Sequence, residues 1–567
     1  MTGAATLRLS VHYLPLGVLA ALLFVLILMP IGIIVYASLL DTPPRPGAVV
    51  GAMTFDHYRD LLNPANLTAL KNSLIIGFGG TAGALVIGSA LAWLSARTNA
   101  PAKVLIRIAG VAPMFMSSLV TALAWSVLAS PISGQLNVIL KSIGLPFVID
   151  IYTLSGIIFV MAISYAPYVY LLINSALSLM NPDFEDAASI HGASRWQTIR
   201  LVTIPMVMPA AIGAAILVFV LVVENFPVPA ILGSGGERIQ TIPAFLFRLM
   251  NVAPSRANEA AALGITLTII TVVLVWLQRI YLARRSYTTV TGKGLRPRLI
   301  DLGPWRWPAA GLVTLYLLIA VVLPFLALSQ TALSTRRFVR TSGDLFNFAT
   351  YDFSRLVTLA ADNRFQHALS NSLLTAAGCA VLGGILHFTI AYYVHRTRAP
   401  GRGLLEQIAM LPLSVPALVL GLGFLWTWFL LPIPLYGTLF ILILATAVRF
   451  MPQGFRAISS TIVQVHPDLE DSAYMAGASR LRSICTITAP LIRTGLVSTA
   501  LLLGILAMRE LSSVIFLFTH DTMMLAMVIF DFWETGSVAR AAGVSLLYSF
   551  LLLAITVVVG RWFQLRE

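Results

Sequence analysis

The sequence has 567 residues, of which 58% are hydrophobic and 11% are charged, with a mean hydropathy of +0.88. Since soluble globular domains carry about 25% charged residues, this composition excludes that class and indicates an integral membrane protein. The net charge of +14 would suit a nucleic-acid partner, but the basic residues are spread over short loops between apolar segments, so we expect membrane lipid and no nucleic acid around the chain.

Twelve apolar segments are long enough to cross a hydrocarbon core of about 30 Å as helices. Barrel strands would alternate in polarity and these runs do not, so the pattern predicts an all-α integral membrane fold. The first run is too long for a signal peptide and is expected to be a retained span. The predicted spans lie near residues 13–38, 71–95, 105–128, 153–178, 206–231, 260–282, 309–331, 368–394, 404–430, 435–460, 491–518 and 541–563.

Basic residues concentrate in the loops that follow even-numbered spans. Positive loops stay in the cytoplasm, so the pattern predicts that both termini are cytoplasmic. Three arginines on the opposite side fall in the long segment 332–367, and long translocated loops weigh less in this rule. The cytoplasmic set is Arg97, Lys103, Arg107, Arg195, Arg200, Arg279, Arg284, Arg285, Lys293, Arg296, Arg298, Arg396, Arg398, Arg402, Arg480 and Arg482, and the exceptions are Arg336, Arg337 and Arg340.

The second half of the chain repeats the first. "ARTNAP" at 96–101 returns as "HRTRAP" at 395–400, and Pro113 returns as Pro412, both at an offset of 299. Later matches have an offset of 285, because an outer loop between the third and fourth spans is shorter in the second copy. Six spans per half make the repeats parallel. We therefore predict two six-span domains, 1–283 and 308–567, joined by a basic cytoplasmic linker, 284–307.

One polar stretch interrupts the spans in each half, at 181–205 and again at 466–490. Proline and acidic residues at the start predict a short helix, which ends where Gly192 or Gly477 permits a left-handed backbone. Ser194 or Ser479 can then cap a second helix, which we expect to end near the closing proline. Two copies with the same internal spacing suggest two equivalent docking sites for a two-fold partner.

The spacing resembles the cytoplasmic loop signature of ATP-binding-cassette importer permeases, which reads Glu-Ala-Ala, three residues, Gly, nine residues, Ile-x-Leu-Pro. The departures are an aspartate for the glutamate in both copies, Ser472 for an alanine and Ala489 for the leucine. The chain looks like the fused twelve-span branch of the type I importers, and most like the ferric-iron permeases. The matching residues are Asp186, Ala187, Ala188, Gly192 and Pro205 in the first copy, and Asp471, Ala473, Gly477 and Pro490 in the second.

The resemblance implies a permease in the bacterial inner membrane that works with separate subunits. Two copies of a cytoplasmic ATPase would bind the two loops, and a periplasmic or lipoprotein binding protein would deliver the solute. The chain itself has no phosphate-binding loop, since "TGKG" at 291–294 lacks the glycine-rich stretch and the Ser/Thr that such a loop needs. We therefore expect no enzyme activity, no catalytic residues, no metal site and no cofactor in this chain, with ATP bound by its partners.

Two pairs of polar residues lie 19 residues after the loop prolines, within the fifth and eleventh spans. Ionisable residues inside a membrane are costly and often functional. Glu224 and Asn225 in one span, and Arg509 and Glu510 in the other, are candidates for the translocation path or an outer gate. The alternatives are an interhelical ion pair or side chains that reach the outer interface of the membrane.

The cargo is not legible from these residues, and ferric iron is the best guess from the resemblance. Alternatives with the same machinery are a phosphonate such as 2-aminoethylphosphonate, thiamine or a polyamine. An ion-coupled secondary transporter is a remote alternative, because such a protein has no reason to repeat a docking loop.

Overall fold

The computed structural model describes residues 16–44, 51–181, 183–235, 238–283, 299–336, 339 and 341–564. Several predicted features lie outside these residues, namely the start of the first span, Pro182, Arg337, Arg340 and residues 284–298 of the linker. Within the described part the chain is helical, with only isolated β-bridges. The predicted all-α membrane fold with two repeats is confirmed.

The first half contains α1 (Leu16–Ser38), α2 (Asp56–Asp60), α3 (Pro64–Arg97), α4 (Lys103–Phe115), α5 (Ser118–Ala129), α6 (Gln135–Ser142), α7 (Leu154–Leu179), α8 (Asp183–Ile190), α9 (Arg195–Val223), α10 (Pro227–Leu232), α11 (Ile242–Asn251) and α12 (Ala257–Ala283). The second half contains α13 (Gly303–Leu333), α14 (Ser342–Phe346), α15 (Ser354–Ala361), α16 (Asn363–Arg396), α17 (Arg402–Leu413), α18 (Ala417–Leu430), α19 (Leu439–Arg449), α20 (Met451–Gln464), α21 (Asp468–Met475), α22 (Arg480–Leu491), α23 (Arg493–Arg509), α24 (Leu525–Glu534) and α25 (Val538–Gln564).

Helix bounds repeat at the offsets seen in the sequence. Helices α3 and α16 both have 34 residues and lie 299 positions apart, and α8 and α21 lie 285 apart. The stretch matched to α7 is divided into α19 and α20, although its outer limits keep the same offset. The two halves therefore share one helical plan.

Among the described residues, eight helices are long and apolar enough to cross a membrane without a sharp bend. The other four predicted spans are bent pairs, so twelve spans result only when each pair counts as one. The bends measure 98° between α4 and α5, 111° between α17 and α18, 59° between α19 and α20, and 80° between α22 and α23. The last of these predicted spans ends at Arg509 and not near 518.

Proline explains where the bent spans change direction. Proline lacks the backbone N–H that a helix interior needs, and its ring clashes with the preceding turn. Pro113 and Pro412 lie in the short 3₁₀ turns that end α4 and α17. Pro452 opens α20, and Pro490 lies just before the break between α22 and α23. Hydrophobicity alone predicted these segments as straight spans, because both arms of each bend are apolar.

The first span of each half packs against both halves. Within their own halves, α1 contacts α12 and α13 contacts α25. Helix α1 packs against α18 of the second half, and α13 packs against α5 of the first. The approach is close at Gly423, where an added Cβ would lie 2.6 Å from the carbonyl oxygen of Pro30. One continuous hydrophobic core therefore contains residues of both halves.

The described end of the linker is attached to the first half. The Ile300 N–H donates to the Arg97 carbonyl at 2.8 Å, and the Asn99 side chain donates to Asp301 at 2.5 Å. Two hydrogen bonds hold the pKa of the Asp301 carboxyl below its usual value: the one from the Gly303 backbone N–H has the larger effect, and the one from the Asn99 side chain has the smaller. The second half thus begins beside the loop that follows α3.

Candidate functional site

The two predicted docking loops are helix–turn–helix units. Gly192 and Gly477 have φ of +80° and +84°, the left-handed conformation that glycine adopts without strain. Ser194 Oγ accepts from the Gln197 N–H at 3.3 Å, and Ser479 Oγ accepts from the Arg482 N–H at 3.4 Å. The turn and the cap are therefore those that the sequence predicts. We call 181–205 and 466–490 the coupling loops, and the end of the molecule where they lie the loop end.

The second helix of each loop was predicted to end near the closing proline, and it does so in only one of the two copies. The second helix of the first loop does not end near Pro205, because α9 continues to Val223. A five-residue π-helical segment, Ile199–Thr203, precedes this proline, and the wider turn accommodates a residue without an N–H. In the second loop α22 ends at Leu491, one residue after Pro490. Both prolines are exposed at the loop end.

Three large apolar side chains are exposed at matching positions of the two coupling loops. The first loop also exposes Leu201 and Ile204, where the second has Thr486 and Ala489. Ile190 and its counterpart Met475 are 84% and 89% exposed, and Trp196 and Leu481 are 67% and 70% exposed. Phe184 and Leu469 complete the two sets. All three pairs have the offset of 285, so the same apolar surface is built twice. We call each set a loop triplet. Grouped exposed apolar side chains mark protein interaction sites.

The loop residues matched to the family signature lie around these triplets. Ala187 is exposed and Ala188 is half-buried, while Asp471 is exposed and Ala473 is half-buried. Asp186, in the first turn of α8, is half-buried. A Cβ added to Gly192 or Gly477 would meet no atom within 4 Å. The signature therefore describes a surface that leaves open space above each turn.

A glutamate in each coupling loop contacts an arginine at the end of an earlier membrane helix, which is α3 in the first half and α16 in the second. Thr203 Oγ1 donates to Glu185 Oε1 at 2.7 Å, and Arg97 Nη1 lies 3.3 Å from Glu185 Oε2. Arg97 is the last residue of α3 and is fully buried, so its assignment to a basic loop from the sequence is corrected. The burial follows from this contact with the glutamate of α8. We call this group the first loop clamp.

The second loop clamp uses the residues at the matching positions. Thr488 Oγ1 donates to Glu470 Oε1 at 2.5 Å, and Arg396 Nε lies 3.7 Å from the same oxygen. Tyr392 Oη adds a hydrogen bond to Glu470 Oε2 at 2.8 Å, which the first clamp lacks because Trp93 occupies the matching position. Neither glutamate was predicted to have a role, although both lie seven residues before the loop glycine, and this shared spacing was a usable signal.

The second clamp is also better satisfied by hydrogen bonds. Arg396 Nη2 donates to the carbonyl of Ile462 at 2.8 Å and to that of Val465 at 2.5 Å. Among the described residues, two nitrogens of Arg97, Nε and Nη2, are buried without a hydrogen-bond partner, against only Nε of Arg396. Buried donors without partners cost free energy, so the first clamp is the weaker of the two.

Glu224, a candidate for the translocation path, contacts the opposite half. It follows the last turn of α9, and its Oε1 lies 2.5 Å from Nη2 of Arg449 at the end of α19. The Glu224 side chain is buried, and that of Arg449 is only 11% exposed. Arg449 Nη1 also donates to the carbonyls of Pro412 and Val415, each at 3.3 Å, at the bend between α17 and α18. We call this chain of contacts the first bend bridge.

Arg509 forms a second bend bridge in the reverse direction. It ends α23, and its Nη2 donates to the Met116 carbonyl at 3.0 Å, at the bend between α4 and α5. Met116 matches Val415 at the offset of 299, so both bends have a carbonyl bound by an arginine. The structure therefore favours the ion-pair alternative for Glu224, and a part in the translocation path stays a prediction for all four residues.

The neighbours of these residues have local contacts. Asn225 Oδ1 accepts from the Val228 N–H at 3.0 Å at the start of α10, and its Nδ2 donates to Tyr165 Oη at 2.9 Å. Glu510 Oε1 accepts from the Ser513 N–H at 2.8 Å. In the described part of the chain, no three His, Cys, Asp or Glu side chains lie close enough to hold a metal ion.

Comparison with known proteins matches one segment in each half of the chain. Residues 84–287 and 383–566 each match the family described as "Binding-protein-dependent transport system inner membrane component". Each matched segment contains one coupling loop, one loop clamp glutamate and residues of both bend bridges.

Three relatives illustrate the similarity. The ferric transport system permease protein FbpB of Actinobacillus pleuropneumoniae is 26% identical over 73% of this chain. A putative ferric transport system permease protein, FbpB 1, of Haemophilus influenzae is 26% identical over 66% of it. Each of these two matches spans 58% of the relative's own length. A putative 2-aminoethylphosphonate transport system permease protein, PhnV, of Salmonella paratyphi A is 28% identical over 27% of this chain and 57% of its own length.

Proposed function

The chain belongs to the family of binding-protein-dependent transport system inner membrane components, and from this premise we propose that it forms the path through which an ATP-driven importer moves ferric iron into the cytoplasm. It is an importer permease, a multi-pass protein of the inner membrane. Energy would come from separate ATPase subunits, and cargo from an external binding protein.

The pair of coupling loops is the observation that carries the proposal. Two loops with the same helix bounds, the same positive-φ glycine and the same apolar triplet suit two copies of one partner. A two-fold ATPase has such a pair of equal surfaces. The exposed triplets supply the apolar area, and the open space above Gly192 and Gly477 leaves room for the partner's backbone.

The loop clamps supply the mechanical connection. The first clamp joins α8 to the end of α3 through Arg97 and to the start of α9 through Thr203. A displacement of the loop by an ATPase would therefore move two membrane helices together. The second clamp does the same for α16 and α22.

The bend bridges connect this motion to the other half. Helix α9 ends beside Glu224, which is paired with Arg449, and α23 ends at Arg509, which binds the bend between α4 and α5. When the ATPase subunits bring the loops together, the halves would rock about these contacts. The path would open outward to receive cargo and reset after ATP hydrolysis.

Ferric iron is proposed as the cargo from the names of the two relatives matched over about two thirds or more of this chain. A phosphonate, thiamine or a polyamine stays an alternative within the same machinery, and the phosphonate relative matches a smaller part of the chain. The binding protein would carry the selective site, so the permease needs no iron ligands of its own.

The test is purification of the tagged chain from native membranes with a non-hydrolysable ATP analogue. Mass spectrometry should find one ATPase and one external binding protein, and metal analysis of that binding protein should find iron. Recovery of the chain alone after crosslinking would overturn the importer assembly. An iron-free binding protein loaded with a phosphonate or a polyamine would overturn the cargo only.

A further inference from the structure

A cavity of about 580 Å³ lies at the end of the molecule opposite the coupling loops, between the two halves. The first half contributes the end of α5, the start of α6 and Tyr152, which precedes α7. The second half contributes the end of α13, the turn between α24 and α25, and the four residues Ser334, Thr335, Arg336 and Val339. None of the residues discussed above for coupling or for the path lines this cavity.

The charged side chains of the cavity wall are all arginines. Arg336, Arg355 and Arg540 line it, and its described lining contains no Asp or Glu. Arg336 is paired with Asp344 outside the lining, and Arg355 donates to the Ser334 carbonyl. Arg540 is exposed and contacts the ring of Phe532 at 5.9 Å. Arg355 also lies near the carboxylate of Asp352, whereas Arg540 has no carboxylate neighbour in any described contact. The described lining of the cavity is therefore positively charged.

Neutral donors complete the wall. Gln330 is only 9% exposed; its Oε1 accepts from Gln135 Nε2 at 2.8 Å, but its own Nε2 has no partner among the described residues. The first turn of α25, from Val538, also faces the cavity, and the N-terminal turn of a helix presents free N–H groups and a partial positive charge. Serine and threonine hydroxyls at 126, 130, 133, 331, 335 and 537 add further polar groups.

The first-half residues that line the cavity differ in size from those at the matching positions of the second half. Ser126, Val127 and Ser130 line it, and at the offset of 299 the second half has Leu425, Trp426 and Phe429. The second-half positions are large and apolar, and the Trp426 side chain is buried. Small and polar residues thus replace large ones at the site of the cavity and not at its counterpart.

We propose that this cavity binds an oxyanion with two or more anionic groups. Arginine guanidinium groups match carboxylate and phosphate oxygens, and amide and helix-terminal N–H groups donate to the remaining oxygens. The volume exceeds that of a single inorganic ion and lies in the range of small-molecule sites. A soluble organic anion and an anionic lipid headgroup share this chemistry. The proposal does not depend on the identity of the imported cargo.

The test is calorimetric titration of the purified full-length chain in neutral detergent at low ionic strength. The soluble probes are citrate, succinate, glycerol phosphate and inorganic phosphate, and the lipid probe is short-chain phosphatidylglycerol. Saturable binding is expected for at least one multivalent probe, with inorganic phosphate weaker. A response to the lipid alone would support the site and assign it to a headgroup. No binding by any probe at millimolar concentration would overturn the proposal.

Variants locate the binding. Arg540→Gln should weaken the affinity at least tenfold, since a hydrogen bond to a charged group is lost. The matched control is Arg59→Gln, an exposed arginine of α2 at the same end of the molecule, which should leave the affinity unchanged. The double variant Ser126→Leu with Val127→Trp copies the second half and should abolish binding. Equal loss in Arg59→Gln and Arg540→Gln would indicate non-specific charge attraction and overturn the site.

Discussion

The coupling loops are alike in the two halves of the chain, whereas the bend bridges differ between the halves. The loops of the two halves present equivalent surfaces, down to three matched apolar side chains. The bridges occupy matched positions too, but Glu224 stands in the first half where Arg509 stands in the second. One bridge therefore needs Arg449 as an intermediate, while the other reaches the Met116 carbonyl directly. The proposed two-fold ATPase would explain why the loops of the two halves stay alike.

The largest effect is expected when both loops are changed at their turns. Gly192→Leu combined with Gly477→Leu should abolish uptake, because the new side chains project into the space reserved for the ATPase. The backbone cost is about 1–2 kcal/mol per site, so the protein should still reach the membrane. Uptake and ATPase co-purification are the measurements. Gly144→Leu is the matched control, since Gly144 has φ of +79° with no atom near its Cβ position, at the opposite end. Normal uptake in the double variant would sink the docking assignment.

The next effect separates the two bridges. Glu224→Leu leaves Arg449 buried without its carboxylate and should destabilise the protein by about 3–5 kcal/mol. Arg509→Met removes one hydrogen bond from a charged donor and should cost about 1.5–3 kcal/mol. Thermal unfolding in detergent compares the two.

The double variant Glu224→Leu with Arg449→Met controls for the buried charge. It should recover most of the loss, because neither charge remains. If Glu224→Leu alone is as stable as the double variant, the first bridge does not hold the halves together.

A smaller effect tests whether the two loop triplets are equal. Trp196→Ser and Leu481→Ser each remove one apolar contact, worth about 1.5–3 kcal/mol when fully buried. Each should weaken ATPase binding by roughly tenfold or more, with the larger loss for the tryptophan. Binding to the purified ATPase in nanodiscs is the measurement. Phe147→Ser, an exposed position at the opposite end, should have no effect on it.

The smallest effect concerns the difference between the clamps. Tyr392→Phe removes the hydrogen bond that only Glu470 receives and should cost about 1 kcal/mol. Trp93→Phe, the matching change in the first half, removes no hydrogen bond to Glu185. Hydrogen exchange of α21 and α8 should show faster opening of α21 in the first variant and no change of α8 in the second. Equal opening of α21 in both variants would show that the tyrosine does not strengthen the clamp.

Local signals in the sequence were enough for the loops and the repeat. A capping serine, a glycine and a proline at fixed spacing specify a helix–turn–helix, because each acts within a few residues. The bends were not predicted, because the hydrophobicity of a segment does not indicate a change in the direction of its helix axis. Pro167 and Pro452 illustrate the limit, since they occupy matched positions but only the second lies at a sharp bend. Near that bend Gly454 lies against His387, a contact from another helix.

Contacts between distant residues account for what the sequence did not show. Glu185 and Arg97 are 88 positions apart, and Arg449 and Glu224 are 225 apart. Charge and position indicated a loop for Arg97 and a polar site for Glu224, but no periodicity links either residue to its partner. The cavity arose in the same way, from small residues on α5 facing the other half.

The packing of α1 against the second half determines when α1 can be fully buried during synthesis. Helix α1 packs on α18, which the ribosome makes about 380 residues later, or roughly 20–80 seconds at bacterial and eukaryotic elongation rates. Until α18 is inserted, lipid contacts the face of α1 that later packs against α18. It is the most apolar of the continuous spans in the described chain, which suits a helix that must wait in the bilayer. Its final burial then depends on the synthesis of α18, so the first half cannot finish its assembly before that part of the second half is made.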